Sequence, residues 1–534
     1  MGVAGLWSLL EQVHEEVYLK ECSGKRIAVD LSGWVVQFAS IPKVARSEFG
    51  SNSSFFANRG LFFRALNLSK LGIILVFVMD GPDAPPRKGK YNREIFFQNC
   101  QQYKALLMAM GFLVLEAEGE AEKMCAELNM RNLVDGVLTS DGDAIVYGAQ
   151  VVYKGIFTDK KEQKATKFKM ANIISKLQMN QNDLVAFALI SKGDISAGVP
   201  SVGGKGFLEL LKEFKNNGVQ DSLERLKSWQ SSAELISLEN QTKQLHEKRK
   251  SPHCTHCCHE GTKSEHSKTG CQICKLENGC HSSQQAFESK AGDMKHPLCV
   301  CTYCCTERNL RSYSHELKIR RLALQQDANF PSEEIINEFL SPSNTLPEFN
   351  SVCMKVPDFH AVYGILLDKL HFSKAEAAKH LIRWTIMMTL NGILTGVAVK
   401  PVRILKSCTE QFEKCYHVRW SKLDFDDLSE ETNEFYEFNV HKSLFVANYP
   451  DMSKEFEVEK LPQKGKRKIA NDPNQRKLSD MFKVVKRSAK KDLIIMTSHD
   501  NSIFPITPPS ACASHDTTVL AQTLHRTEQP CTSL

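Results

Sequence analysis

"GEAEKMCAELNMRNLVDGVLTSDGDAIVYGA" runs from Gly119 to Ala149. Glu120 and Glu122 open a segment with helical spacing. Asp141 and Asp143 follow a mostly apolar, strand-like run, Val134 to Leu138. Like charges repel, and carboxylates at the edge of a core are costly unless something pairs with them. No lysine or arginine lies between the members of either pair. A helix, then a strand with acids just past its end, is the pattern of a sheet that places ligands at the C-terminal ends of its strands.

The neighbouring segments extend that pattern. "KRIAVDLSGW" (Lys25–Trp34), "GIILVFVMDG" (Gly72–Gly81), "GFLVLEAEG" (Gly111–Gly119), "VDGVLTSDGD" (Val134–Asp143) and "AQVVYKG" (Ala149–Gly155) are short and mostly apolar. Such runs, alternating with helical stretches at Glu94–Met110 and Glu120–Asn132, predict an α/β fold with a mainly parallel central sheet flanked by helices. Seven carboxylates at or near strand ends then form one candidate site: Asp30, Asp80, Glu120, Glu122, Asp141, Asp143 and Asp194. Hard divalent ions such as Mg²⁺ prefer oxygen ligands, and the members of a pair two residues apart can flank one cation. Two such ions roughly 4 Å apart activate water and stabilise a leaving oxygen in phosphodiester hydrolysis. Their charge also removes the repulsion. Helix capping by solvated acids explains any one of the seven more readily than it explains all of them.

Composition narrows the class. The 534 residues are 42% hydrophobic and 24% charged, as in ordinary globular protein. No apolar run approaches the ~20 residues that span a bilayer, and residues 1–20 are too acidic and polar for a signal peptide. Leu6 stands where a myristoylation motif requires Ser or Thr. No membrane association is expected. Ten of the eighteen cysteines fall between Cys254 and Cys305, which points to metal binding inside a reducing compartment rather than to disulfides.

"MGVAGLW", "IAVDLSGW", "VFVMDG", "GEAEKMCAELN", "VDGVLTSDGD" and "GVPSVGG", in this order, resemble the XPG/flap-endonuclease superfamily of structure-specific nucleases. Within it the chain is most similar to the Gen/Yen Holliday junction resolvases, on "VYGA", the short segment after Asp80, the Cys/His cluster and a β-rich module downstream. The resemblance implies a PIN-like nuclease core in which the same seven acids bind two Mg²⁺, with Mn²⁺ able to substitute. Aligned through "LVAFALISKGD", Asp194 meets the family's aspartate and the loop before "GVP" is one residue short. The other alignment puts Gly193 there. "GVPSVGGKGFLELL" (Gly198–Leu211) resembles the family's helix–turn–helix element, which grips the DNA backbone around a monovalent cation such as K⁺. Ser201 stands where a glycine is usual. The DNA-contacting set expected from these segments is Gly2, Arg87, Lys88, Lys90, Arg93, Gly198, Gly203 and Lys205. "GVAGLW" is expected to pack on the same cleft, with Trp7 as a core residue.

The domain reading is residues 1–95 and 96–240 for the nuclease, the second including the helix–turn–helix; 250–310 as a Cys/His-rich insertion; 330–395 helical; 398–455 a β-rich module; and 460–534 a basic, largely disordered tail. The CxxC pairs Cys254/Cys257, Cys271/Cys274 and Cys301/Cys304, with His253, His256 and His281 nearby, are compatible with structural Zn²⁺. "VRILKSCTEQFEKCYHVRWSKLDF" (residues 402–425) resembles a chromodomain, with Tyr416 and Trp420 as core rather than cage residues. Between Lys460 and Lys491 twelve Lys/Arg stand against two Asp, and "KGKRK" (Lys464–Lys468) reads as a nuclear-import segment. That places the protein in the nucleus, with exchange to the cytoplasm left open. "QRKLSDMF" (Gln475–Phe482) resembles a peptide that docks on the sliding clamp PCNA. The function expected is a Mg²⁺-dependent endonuclease for branched DNA, acting as a homodimer on four-way junctions. A monomeric 5′-flap or excision nuclease and a catalytically impaired junction-binding scaffold are the alternatives.

Overall fold

The computed structural model describes residues 2–39, 53–84, 93–157, 163–247, 252–280, 301–342, 354–410, 413–421 and 435–459. Arg87, Lys88, Lys90, His281 and everything after residue 459, including Lys464–Lys468 and Gln475–Phe482, lie outside them. The chain divides into two units, Met1–Leu461 and Pro462–Leu534, and every described element belongs to the first.

Seven strands form its central sheet: β1 (Glu15–Tyr18), β2 (Arg26–Asp30), β3 (Ile74–Met79), β4 (Leu113–Glu116), β5 (Gly136–Leu138), β6 (Val151–Phe157) and β7 (Lys164–Lys169), in the order β1-β7-β6-β5-β2-β3-β4. The pairings β6–β5, β5–β2, β2–β3 and β3–β4 are parallel. All five apolar runs therefore become neighbouring parallel strands. The β6–β7–β1 edge is antiparallel and has no counterpart in the sequence reading. Its strand "KATKFK", paired on both sides between β1 and β6, carries four polar side chains around buried Ala165 and Phe168, a charged strand that composition disguises as a loop.

Burial on both faces explains why the parallel strands read as continuous apolar runs. Along β3, Leu75, Phe77 and Met79 enter one core while Val76 and Val78 enter the other. The helices Leu6–Leu10, Ala121–Met130, Gln181–Ile190 and Gly204–Asn216 contribute buried side chains to the Val76 side. Leu61, Phe62 and Leu66 of the helix Ser53–Lys70, with Tyr103 and Leu107 of Arg93–Ala109, fill the Phe77 side. The region 330–395, expected helical, divides between the two sides: Ile336 and Phe339 of Glu333–Leu340 join the first core, while Phe359–Asp368 and Lys374–Leu390 join the second. No described helix is long and apolar enough to cross a membrane.

A second sheet, β8 (Pro401–Glu410), β9 (Glu413–Ser421) and β10 (Phe435–His441), is antiparallel throughout, in the order β10-β9-β8. Tyr416 and Trp420 on β9 are fully buried, with Phe445 of the following helix 5.8 and 6.1 Å from their rings. Both aromatics are core, as expected. The same core reaches the body of the large sheet, where Trp384 Nε1 donates to Ser69 Oγ at 2.9 Å.

Candidate active site

The acids converge because each follows a strand or the helix facing it. Asp30 is the last residue of β2, and the helix Leu31–Ala39 begins at once. Its carboxylate accepts from Gly33 N–H at 2.8 Å and from Thr139 Oγ1 at 3.3 Å. A Cβ on Gly33 would sit 2.1 Å from Asp30 Oδ2, so only glycine fits there. Asp80 follows β3; its amide donates to Ser32 Oγ at 3.0 Å, and its carboxylate accepts from Ala121 N–H at 3.1 Å. Asp80 thereby satisfies an orphan amide at the N-terminus of the helix Ala121–Met130. Glu120 is the N-cap residue of that helix, and Glu122, in its first turn, is 4% exposed.

Asp30, Asp80 and Glu122 each place a carboxylate oxygen within 4.8 Å of the others. Burial, then Asp30, Asp80, Asp141 and Glu120, hold the Glu122 carboxyl well above the usual carboxylate range. A second group lies alongside. Asp141 and Asp143 are 7% and 6% exposed, and the amide of Asp143 donates to Asp141 Oδ1 at 3.2 Å. Burial and then Asp141 push the Asp143 carboxyl to about 7, against the Val3 amide that donates to it at 2.8 Å. Asp194 accepts from Gly2 N–H at 2.8 Å and adds to the repulsion at Asp143. Among the two alignments of that loop, the geometry favours the one that gives Asp194 the acid position. Mutually repelling carboxylates, with Asp30, Glu122, Asp141 and Asp143 buried, are a donor set that fits hard divalent cations.

The N-terminus completes the site. Ala4 N–H donates to Lys192 O at 2.7 Å, which docks the chain start on the Asp194 loop. Gly2 has φ +82°, and a Cβ there would fall 1.8 Å from Asp141 Oδ1. Gly2, expected among the DNA contacts, lies inside the acidic cluster, where it packs on Asp141 and donates to Asp194. Trp7 is half-buried rather than core: its Nε1 donates to Ser140 O at 3.1 Å, its ring centroid is 4.9 Å from that of Phe168, and Lys154 Nζ lies 4.0 Å from its centroid. A cleft of about 790 Å³ opens beside Asp30, lined among others by Trp34, Arg64, Asn67, Thr139 and Lys154. Sequence reasoning misses Thr139, Ser32, Gly33 and the Val3 amide. The first three are signalled only by adjacency to the acids in "TSDGD" and "DLSG"; Val3, in "MGV", has no acid near it in sequence.

The expected helix–turn–helix is the pair Gln181–Ile190 and Gly204–Asn216. Gly203 and Lys205 are exposed at the second helix's N-terminus, and no side chain caps it. Gly198 donates its amide to Ser196 Oγ at 3.1 Å, and a Cβ there would meet Lys192 N at 2.4 Å, so close packing requires the glycine. Ser201, which replaces a glycine, has φ +62°, the left-handed region that side chains disfavour. Arg93 is the first residue of the helix Arg93–Ala109.

All six expected CxxC cysteines fall into Cys/His groups, which are Cys254/Cys257/His266/Cys280, Cys257/His259/Cys271/Cys274 and His253/Cys301/Cys304. Of the histidines read from sequence, His253 takes part. His256 instead gives its amide to Cys254 Sγ. His259, His266 and Cys280 are not singled out by the sequence, since chain separation hides which imidazole folds back.

An XPG N-terminal domain matches residues 1–94 and an XPG I-region matches residues 111–194. Flap endonuclease GEN homolog 1 of Homo sapiens is 28% identical over 91% of this chain and 53% of its own length. Flap endonuclease GEN-like 1 of Oryza sativa subsp. japonica is 32% identical over 70% of this chain and 64% of its own. The chain thus spans about half the length of the mammalian relatives it matches. A crystal structure of human GEN1 in complex with Holliday junction DNA superposes with a TM-score of 0.59 at 24% identity, over 86% of this chain and 98% of that one, a likeness of fold. All seven acids fall inside the two matched regions; the chain carries both the N-terminal and the I-region of the XPG type and is similar to GEN-type flap endonucleases.

Proposed function

We propose that this chain is a Mg²⁺-dependent, structure-specific DNA endonuclease that cuts branched DNA, resolving four-way junctions and cleaving 5′ flaps and replication forks in recombination and repair. The observation that carries the reading is the convergence of Asp30, Asp80 and Glu122 with Asp141, Asp143 and Asp194 around the docked N-terminus. Two Mg²⁺ held by these acids, or Mn²⁺ in their place, would supply water activation and stabilisation of the leaving oxygen. The chain's own part is orientation. Gly33 and Thr139 aim Asp30, the Ala121 amide aims Asp80, and Gly2 and Val3 aim Asp194 and Asp143. The relatives' names add the flap reading, and the junction-bound structure of human GEN1 adds the four-way junction.

Around this core we assign backbone gripping to the Gly203–Lys205 helix terminus, where exposed amides suit phosphate and a K⁺ ion can share the turn. Arg87, Lys88, Lys90 and Arg93 meet phosphates near the metals. The β8–β10 module is chromodomain-like and holds DNA. The Cys/His insertion takes Zn²⁺. Residues 1–240 act as nuclease, and 460–534 as a basic tail carrying the nuclear address and a PCNA-docking segment. Each site cuts one strand, so a homodimer acts on a four-way junction. The test is incubation of purified protein with labelled four-way junctions, 5′ flaps and plain duplex in Mg²⁺, repeated with Asp30→Asn. Symmetric paired nicks support resolution, and cutting of flaps alone supports the monomeric flap nuclease. Tight junction binding with no Mg²⁺-dependent cutting would leave only the scaffold.

A further inference from the structure

The insertion at residues 252–280 lacks the means to fold by burial alone. Among its described residues the buried core consists of Cys254, Cys257 and Cys271, with Cys274 and Cys280 packed against them and no aliphatic side chain included. A segment this short, with no apolar core, needs cross-links. Disulfides do not supply them. No described cysteine is in a disulfide, and Cys254 Sγ is 3.7 Å from Cys280 Sγ, against the roughly 2.05 Å of a covalent bond.

The separations instead match the edges of metal tetrahedra. With metal–sulfur bonds of about 2.3 Å and metal–nitrogen bonds of about 2.0 Å, such edges measure roughly 3.8 Å for sulfur–sulfur and 3.5 Å for sulfur–nitrogen. The observed sulfur–nitrogen distances are 3.3 Å for Cys257–His266 Nδ1, 3.5 and 3.4 Å for Cys271 and Cys274 to His259 Nδ1, and 3.5 and 3.2 Å for Cys301 and Cys304 to His253 Nε2. In each CxxC turn a backbone amide near its end donates to the first sulfur at 3.4 Å. The residues after the first two turns, Cys258 and Lys275, share the left-handed conformation, with φ +61° and +54°. The other ring nitrogen of His266, Nε2, faces the Glu260 carbonyl at 2.8 Å. A carbonyl only accepts, so Nε2 carries the proton and Nδ1 offers its lone pair to the cluster, the outer-shell pattern of a metal-bound imidazole.

We infer that the insertion is a trinuclear Zn²⁺ module in which two ions share the Cys257 thiolate and a third, held by His253, Cys301 and Cys304, pins the two ends of the insertion together. The module rests on the proposed Zn²⁺ assignment and adds the ion count, the ligand set and the bridge. Cys257 belongs to two four-residue groups, which gives seven residues for two ions, each with four ligands. All three sites draw on one stretch, His253 to His259. The third fixes that stretch to the N-terminus of the helix Thr302–Arg311, where Cys301 is the N-cap residue. The excursion therefore leaves and re-enters the body of the protein at a single point.

The experiment is elemental analysis of full-length protein isolated under reducing conditions, followed by ¹¹³Cd substitution and NMR. About three zinc ions per chain are expected, with three cadmium resonances in the thiolate range, two of them split by coupling through the shared sulfur. Cys301→Ser should lower the count by one and leave the coupled pair intact. His256→Ala and Asp30→Asn should lower it by none. Bound zinc with no coupled pair overturns the bridge while leaving the Zn²⁺ assignment standing. A zinc content near zero, or iron in its place, overturns both.

Discussion

Gly2 shows how closely a single position is constrained. A methyl group there would collide with Asp141 and would oppose φ +82°. Gly2→Ala should lower the cleavage rate about 100-fold, the cost of an ångström-scale misplacement at a reacting centre. A Mg²⁺ titration of nicking, with thermal denaturation as the folding control, checks it. Ser201 carries the opposite expectation. Relieving its left-handed strain with Ser201→Gly should stabilise the protein by roughly 0.5–1 kcal/mol, after the entropy glycine adds to the unfolded chain. The melting temperature reads this directly. Asp143 predicts a pH dependence. Its folded pKa, about 7, exceeds its ordinary 3.8, so its contribution to stability is present at low pH and is lost as pH rises through that interval. Metal-free protein should melt at lower temperature near neutrality than in mild acid. Mg²⁺ should reverse the loss, and Asp143→Asn should flatten the profile in chelator. The seven acids were legible because their residue types and spacing already state the chemistry. The amides that aim them were not, because every residue has one.

At the level of elements, strands were legible where they are buried on both faces and illegible in antiparallel β7, where interspersed lysines hide the strand. The helix that follows "GVPSVGG" was legible, yet the sequence did not tell the glycines of that turn apart. Gly198 packs on Lys192, whereas Gly203 has open space around it. On β9, Trp420 stacks on Phe438 with ring centroids 5.7 Å apart and contacts Phe445 and Tyr449. Trp420→Ala should destabilise this module by about 3–5 kcal/mol, as large-to-small core changes do. If the module holds DNA, junction affinity should fall in the same variant while nicking of saturating substrate persists. Urea denaturation and electrophoretic binding measure the two effects separately.

Across the unit Met1–Leu461, the small β-sheet and the nuclease sheet share one apolar core. Ile404, Tyr416 and Val418 belong to the same cluster as Phe77 and Trp384, and Lys20 and Glu413 form an ion pair at 2.6 Å. A chain ending before residue 396 would expose that face. It should melt lower and aggregate, rather than behave as an independent nuclease, which light scattering during a thermal ramp would reveal. Contacts between residues hundreds of positions apart, such as Trp384 with Ser69, have no local signature in a single sequence.

By itself the sequence determined the α/β class, the mainly parallel sheet and the placing of acids at its strand ends, since these rest on local periodicity and on residue types whose chemistry is intrinsic. The tertiary structure decided which acids group together, that the N-terminal glycine belongs among them, which histidines join which cysteines, and that the downstream modules lean on the body of the large sheet. These depend on distances between remote segments, and only the packing of the folded chain sets them.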